Sequence, residues 1–166
     1  IASCLKKSKP DCSIMAWDKN PESLEIGLEK GLIDVPLESL LDIDAELVVL
    51  ATPVRALEEL VPYLDCSEAI FTDVGSVKGH VLDTFKKVTG GIPRKLVPGH
   101  PIAGSERHGV SAADPNLFSG RRVILTPLSN TDPLATDKVV EMWRELGANV
   151  TFMTPEHHDH VLAQTS

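Results

Sequence analysis

Short apolar runs alternate along the chain with segments of helical spacing. Ser13-Ile14-Met15-Ala16-Trp17 reads as a strand ending at Asp18. Residues 21–30 then read as a helix, with Asn20 as its cap, Pro21 at the first helical position and Gly31 where a C-terminal glycine belongs. Leu47-Val48-Val49-Leu50-Ala51 is a continuous apolar run, as in strands covered on both faces. Thr52-Pro53 breaks it, and Val54, Leu57, Leu60, Val61 and Leu64 follow at helical spacing. The pattern repeats with a strand at Ala69-Ile70-Phe71-Thr72-Asp73 and a helix over residues 77–88. Leu96-Val97 begins a short strand before Pro98, and Val123-Ile124-Leu125-Thr126 forms another. Thr131 or Asp132 can cap a helix that runs to about Leu146 and stops at Gly147. Val150-Thr151-Phe152 is the last strand, and a final helix starts near Pro155.

Strand and helix thus alternate at the spacing of βαβ units. The expected fold is α/β, a mostly parallel sheet with helices on both faces and right-handed crossovers. Ligands of such sheets sit beyond the carboxyl ends of the strands. Asp18, Thr52, the segment from Asp73 to Ser76, and His100 all follow predicted strands, so one crevice could gather them.

Length and charge narrow the picture. With 166 residues, the chain has room for one ordinary domain, which at this size buries roughly 70% of its unfolded-chain surface. A net charge of −8 argues against nucleic acid or a membrane surface as the main partner. The charge is uneven: residues 1–83 carry 7 Lys+Arg against 16 Asp+Glu, and residues 84–166 carry 9 against 8. Five of the six histidines lie in the second half, so acidic small molecules are better tolerated there. Cys4, Cys12 and Cys66 show no CxxC spacing, which fits reduced thiols in a cytoplasmic protein. No apolar run approaches the roughly 18 residues of a membrane span. The first residues show no initiator Met and no signal layout, and read as the interior of a helix.

Several residues could carry chemistry. Asp18 is placed to accept hydrogen bonds from an adenosine ribose, or to serve as a turn or cap residue. No GxGxxG occurs. Ala51-Thr52-Pro53-Val54 is either a plain strand-to-helix turn or a small-residue floor against a nicotinamide or ribose. In Asp73-Val74-Gly75-Ser76-Val77-Lys78, the glycine permits a tight turn close to a ligand. Ser76 could be the N-cap of the next helix, and Asp73 could hold the turn. His100-Pro101-Ile102-Ala103-Gly104-Ser105-Glu106 places a histidine in a loop after a strand. A neutral imidazole there can take a proton from an alcohol near neutral pH. In His157-His158-Asp159-His160, adjacent histidines on a helix point about 100° apart, and only His157 and His160 could share a metal. No distant Cys/His set completes such a site, so no metal is expected.

Taken together, Thr72-Asp73-Val74-Gly75-Ser76-Val77-Lys78, the His100–Glu106 run, Gly109-Val110, Ala112-Ala113, Leu117-Phe118, Ala51-Thr52-Pro53-Val54 and His158-Asp159 with Ala163 and Ser166 resemble the prephenate and arogenate dehydrogenase family over nearly the whole chain. The resemblance implies a Rossmann-like doubly wound domain and an NAD-dependent oxidative decarboxylation of prephenate or arogenate in tyrosine biosynthesis. It implies that His100 accepts the ring-hydroxyl proton while Ser76 bonds the substrate hydroxyl and His100. Ser105 and Glu106 would border the substrate, with Gly104 allowing close backbone approach. Asp18, Thr52, Pro53, Asp73 and Gly75 would lie at the NAD, with Asp18 disfavouring the 2′-phosphate of NADP.

Against the family pattern, the first strand and its glycine-rich loop are not found in these residues, which should leave a sheet position and an apolar slot unfilled. Residues 1–154 are expected to form the dinucleotide-binding domain. Residues 155–166 would begin a linker helix toward a helical domain that makes the homodimer of the parent enzyme. The alternatives are another two-domain NAD(P) enzyme, such as a β-hydroxyacid dehydrogenase, and a non-catalytic nucleotide-binding module.

Overall fold

The structure is a computed structural model and describes residues 1–64, 68–104 and 109–164. Its elements run α1 (Ala2–Ser8), β1 (Met15–Ala16), α2 (Pro21–Glu29), β2 (Val35–Pro36), β3 (Leu47–Leu50), α3 (Leu57–Leu64), β4 (Ile70–Asp73) and α4 (Lys78–Thr89). They continue through β5 (Leu96–Val97), β6 (Gly99–Ile102), β7 (Arg122–Leu125), α5 (Pro133–Glu145), β8 (Asn149–Phe152) and α6 (Pro155–Ala163).

Local chemistry sets several of the ends. Asn20 and Asp132 cap α2 and α5 by accepting from the N–H groups of Glu22 and Leu134, and a proline opens each helix. Asp132, not Thr131, is therefore the cap of α5. Thr154 caps α6 by accepting from His157 N–H. Gly31 and Gly147 follow α2 and α5 with positive φ, as expected for helix stops.

Hydrogen bonding gathers the strands into three groups. β1 pairs with β2, and β3, β4 and β5 pair in that order, all parallel. In the third group β7 pairs in parallel with β8 and antiparallel with β6. Here the structure corrects the sequence reading: His100 stands in β6, opposite Ile124 of β7, and not in a loop. β7 is the only ladder partner of β6 among the described residues, so Pro101 can sit in it without removing a second ladder.

Successive strand residues face opposite cores. Leu47 and Val49 pack with Val97, Val123, Leu125, Val139 and Trp143, under α1 and α5. Val48 and Leu50 pack with Leu57, Val61, Phe71, Val81, Phe85 and Leu96, under α3 and α4. Burial on both faces makes the strands read as continuous apolar runs, and it gives the doubly wound architecture. Trp143 is fully buried and meets Phe118 edge to face at 5.1 Å, a pair worth about 0.5–1.5 kcal/mol beyond its area. Between β1 and β3 lies a cavity of about 680 Å³, lined by Met15, Leu47, Val49 and Ile70 among others.

Candidate active site

Four elements converge where β4 ends: β4 itself, β6, and the N-terminal turns of α4 and α6. Asp73 closes β4 and is 1% exposed. Its Oδ2 accepts from Gly75 N–H at 2.8 Å and from the Lys78 ammonium, and its Oδ1 accepts from Gly99 N–H at 3.1 Å. Lys78 is wholly buried and also donates to the Gly99 carbonyl. Burial pushes the Lys78 pKa below its usual value, against the opposing pull of Asp73 and Asp159. The pair fastens β4 to the start of β6. The backbones come close enough there that a Cβ on residue 99 would stand 3.0 Å from the Asp73 carbonyl oxygen, so only glycine fits without movement.

β6 carries His100 into contact with α6. His100 Nδ1 lies 2.9 Å from His158 Nε2, with the rings edge to face. His158 is fully buried, and its Nδ1 lies 2.7 Å from Asp159 Oδ1. Asp159 in turn accepts from the N–H groups of Lys78 at 2.8 Å and Gly79 at 2.7 Å. The carboxylate thereby caps α4, where negative charge meets the positive end of the helix dipole. Burial raises the Asp159 pKa, but the Gly79 and Lys78 amides and His158 outweigh it and hold it below the usual carboxylate value. Burial, the largest cause, pushes His100 down to about 4, with the Lys78 ammonium acting the same way and Asp159 pulling the other way. His100 is therefore neutral at pH 7 and able to accept a proton.

The sequence-predicted residues fall into two places. Asp73 and Gly75 flank the corner where His100 stands. Both Asp73 oxygens are occupied by protein donors, so Asp73 holds the turn and shapes the loop around it. Ser76 is exposed, two residues before α4, and it is not that helix's cap. The capping carboxylate comes from Asp159 instead, because the α6 turn lies against the two first amides. Gly104 is exposed, with no protein atom near where a Cβ would stand. Ser105 and Glu106 lie outside the described residues.

Asp18 and Thr52 line the cavity between β1 and β3, which His100 does not line. Asp18 is exposed and accepts from Asn20 N–H at 2.7 Å, a turn bond that, among the described residues, leaves its other oxygen open. Thr52 Oγ1 is buried without a hydrogen-bond partner among the described residues, and Pro53 is exposed at the start of the 3₁₀ turn Val54–Ala56. A buried orphan hydroxyl costs free energy unless a polar group reaches it. Thr52 and the open oxygen of Asp18 thus fit a hydroxyl-rich ligand spanning the ends of β1 and β3.

Sequence reading gave His158 and Asp159 no chemical role. The available signal was helical phase: His158 is the buried histidine of its run, whereas His157 and His160 are exposed. Lys78 was equally overlooked as a buried partner of Asp73.

Parallel strands wrapped on both faces, with polar residues gathered after the strand ends, define a nucleotide-binding α/β domain. The chain belongs to the family described as prephenate dehydrogenase, nucleotide-binding domain, which it matches over residues 1–152. It is 35% identical over 172 residues to a cyclohexadienyl dehydrogenase of Zymomonas mobilis, covering 99% of this chain and 57% of that protein. It is 36% identical over 174 residues to a prephenate dehydrogenase of Bacillus subtilis, covering 100% of this chain and 46% of that protein. The crystal structure of a prephenate dehydrogenase from A. aeolicus, in complex with hydroxyphenyl propionate and NAD+, matches with a TM-score of 0.88 at 36% identity, covering 97% of this chain and 57% of that one. The chain spans about half the length of the curated relatives it matches. Among the described residues, no helix is long and apolar enough to cross a membrane.

Proposed function

We propose that the protein catalyses NAD-dependent oxidative decarboxylation of prephenate, giving 4-hydroxyphenylpyruvate, or of arogenate, giving tyrosine, in tyrosine biosynthesis. The observation that carries this reading is His100: a neutral imidazole at a corner fixed by Asp73 and Lys78, inside a domain of this family. When bound, NAD supplies the hydride acceptor. Asp18 would hold the adenosine ribose, whose hydroxyls a carboxylate favours over a 2′-phosphate. Thr52 and Pro53 would border the cofactor, and Gly75 keeps the adjacent turn tight.

His100 accepts the proton of the ring hydroxyl as the carbon–hydrogen bond breaks. Exposed Ser76 is available to bond that hydroxyl and orient it. Gly104, Ser105 and Glu106 are assigned to the substrate side. Loss of CO2 restores aromaticity and drives the reaction, so the protein's contribution is orientation, a base in the right protonation state and a dry path. Residues 1–154 serve as the dinucleotide-binding domain, and 155–166 begin the link to a helical domain that builds a homodimer. The 166-residue chain alone should turn over little, since it contains no glycine-rich loop to hold the pyrophosphate.

The test is to supply the full-length protein with NAD and either substrate, and to follow NADH and CO2 together. Equal release of both is expected. NADH without CO2, or no turnover of either substrate, overturns the reading.

A further inference from the structure

We infer that His158 and Asp159 are positioning residues that set the tautomer of His100 and aim its basic nitrogen at the reacting hydroxyl. The inference rests on the reading of His100 as the base and adds two residues to it.

The argument follows from which groups can donate. Asp159, held ionised by the α4 amides, can only accept hydrogen bonds. His158 Nδ1, 2.7 Å from Asp159 Oδ1, must therefore carry the hydrogen of that bond. We take the fully buried His158 ring as neutral, so that its Nε2 is bare and can only accept. His100 Nδ1, 2.9 Å from that nitrogen, must be the donor. The hydrogen of neutral His100 is thus fixed on Nδ1, and its lone pair is fixed on Nε2. The carboxylate determines the state of an imidazole it does not touch.

The arrangement also suits the charge that follows. When the substrate O–H bond breaks and an N–H bond forms at His100 Nε2, the ring becomes an imidazolium while its Nδ1–H still points at His158. The charged groups around it are Lys78 from α4, paired with Asp73 of β4, and Asp159 from α6. Asp159 is the one among these that favours a cation on His100 and is joined to it through a hydrogen-bonded ring. Helix α6 is thereby part of the catalytic corner: it packs on α4, caps it and orients the base.

The account makes three variants informative. In the full-length protein, His158→Phe keeps a buried ring but cannot accept from His100. Its kcat should fall about 10²-fold, at the lower end of what a positioned base contributes, with KM little changed. His158→Gln offers an acceptor oxygen toward His100 and a donor toward Asp159, and should recover part of that loss. Asp159→Asn keeps a polar group at the helix end but loses the charge, and kcat should fall with KM little changed. Near-wild-type kcat in His158→Phe overturns the assignment.

Nitrogen–proton NMR of the histidine rings in the wild-type protein provides a readout independent of turnover and of how the variants fold. Hydrogen on Nδ1 and a bare Nε2 at His100 are expected, and hydrogen on Nε2 overturns the assignment. If wild type turns over neither substrate, the proposed activity fails, while the ring spectrum still decides the positioning.

Discussion

The corner around His100 and the margin around Asp18 are finished to different degrees. At the corner the ionisable groups are held by others: Asp73 by three donors, Asp159 by two backbone amides and an imidazole, and His100 by His158. At the margin, among the described residues, Asp18 makes one turn bond and the Thr52 hydroxyl makes none. The difference teaches which part of the reaction needs prior order. A base must be aligned before the proton moves, because misplacement is costly in rate. Groups that hold a large cofactor can keep open valences, because the ligand itself fills them.

This contrast can be broken at either end. The largest effect is expected at the base. His100→Asn should lower kcat by about 10²–10⁴, the range for a positioned acid–base group, with NAD affinity nearly unchanged in a binding titration. A matching loss of NAD affinity would merge the two regions into one. Next comes the scaffold of the corner. Asp73→Ala leaves the buried Lys78 ammonium without its partner and should cost about 3–5 kcal/mol in urea unfolding, the range for one half of a buried pair. A cost typical of an exposed site would mean the corner is loosely held.

At the margin the expected effect is smaller. Asp18→Asn should weaken NAD binding about tenfold, or about 1.4 kcal/mol, and narrow the preference for NAD over NADP. Equal binding of NAD by the two proteins would remove Asp18 from the cofactor. A further expected effect is on stability against pH. His100 is held at about 4 in the folded state, below the ordinary histidine value near 6.5. The unfolded chain therefore takes up the proton first. The stability that neutral His100 permits is complete above about pH 6.5 and is lost as pH falls toward 4. His100→Asn should lose less stability than wild type over that window, and parallel curves would show that the shift is absent.

Much of the scaffold was legible because its signals are local. Asn20 before Pro21, Asp132 before Pro133 and Gly147 after α5 each act within one turn of their own helix. The apolar run of β3 announced burial on both faces. Strand β6 was not legible, because Gly99 and Pro101 are residues that break strands unless a neighbouring backbone requires them. It forms because Gly99 can pass close to Asp73 and because β7 supplies an antiparallel partner. The cap of α4 was not legible for a related reason. Ser76 lies near the helix in sequence, but the acceptor comes from Asp159, 81 residues away from Lys78. His100 was found from its unusual setting, while its partner His158 lies 58 residues further on, in a histidine run weighed only for metal binding. Contacts of that kind depend on the packing of α6 against α4, which no periodicity reports.

The central claim is that His100 takes the proton of the substrate hydroxyl. Its most direct test is a crystal structure of the full-length protein with NAD and a 4-hydroxyphenyl product analogue. The account predicts the phenolic oxygen within about 2.6–3.2 Å of His100 Nε2, hydrogen-bond reach for a proton acceptor. A phenolic oxygen beyond that reach, and bonded instead to a different base, would contradict it.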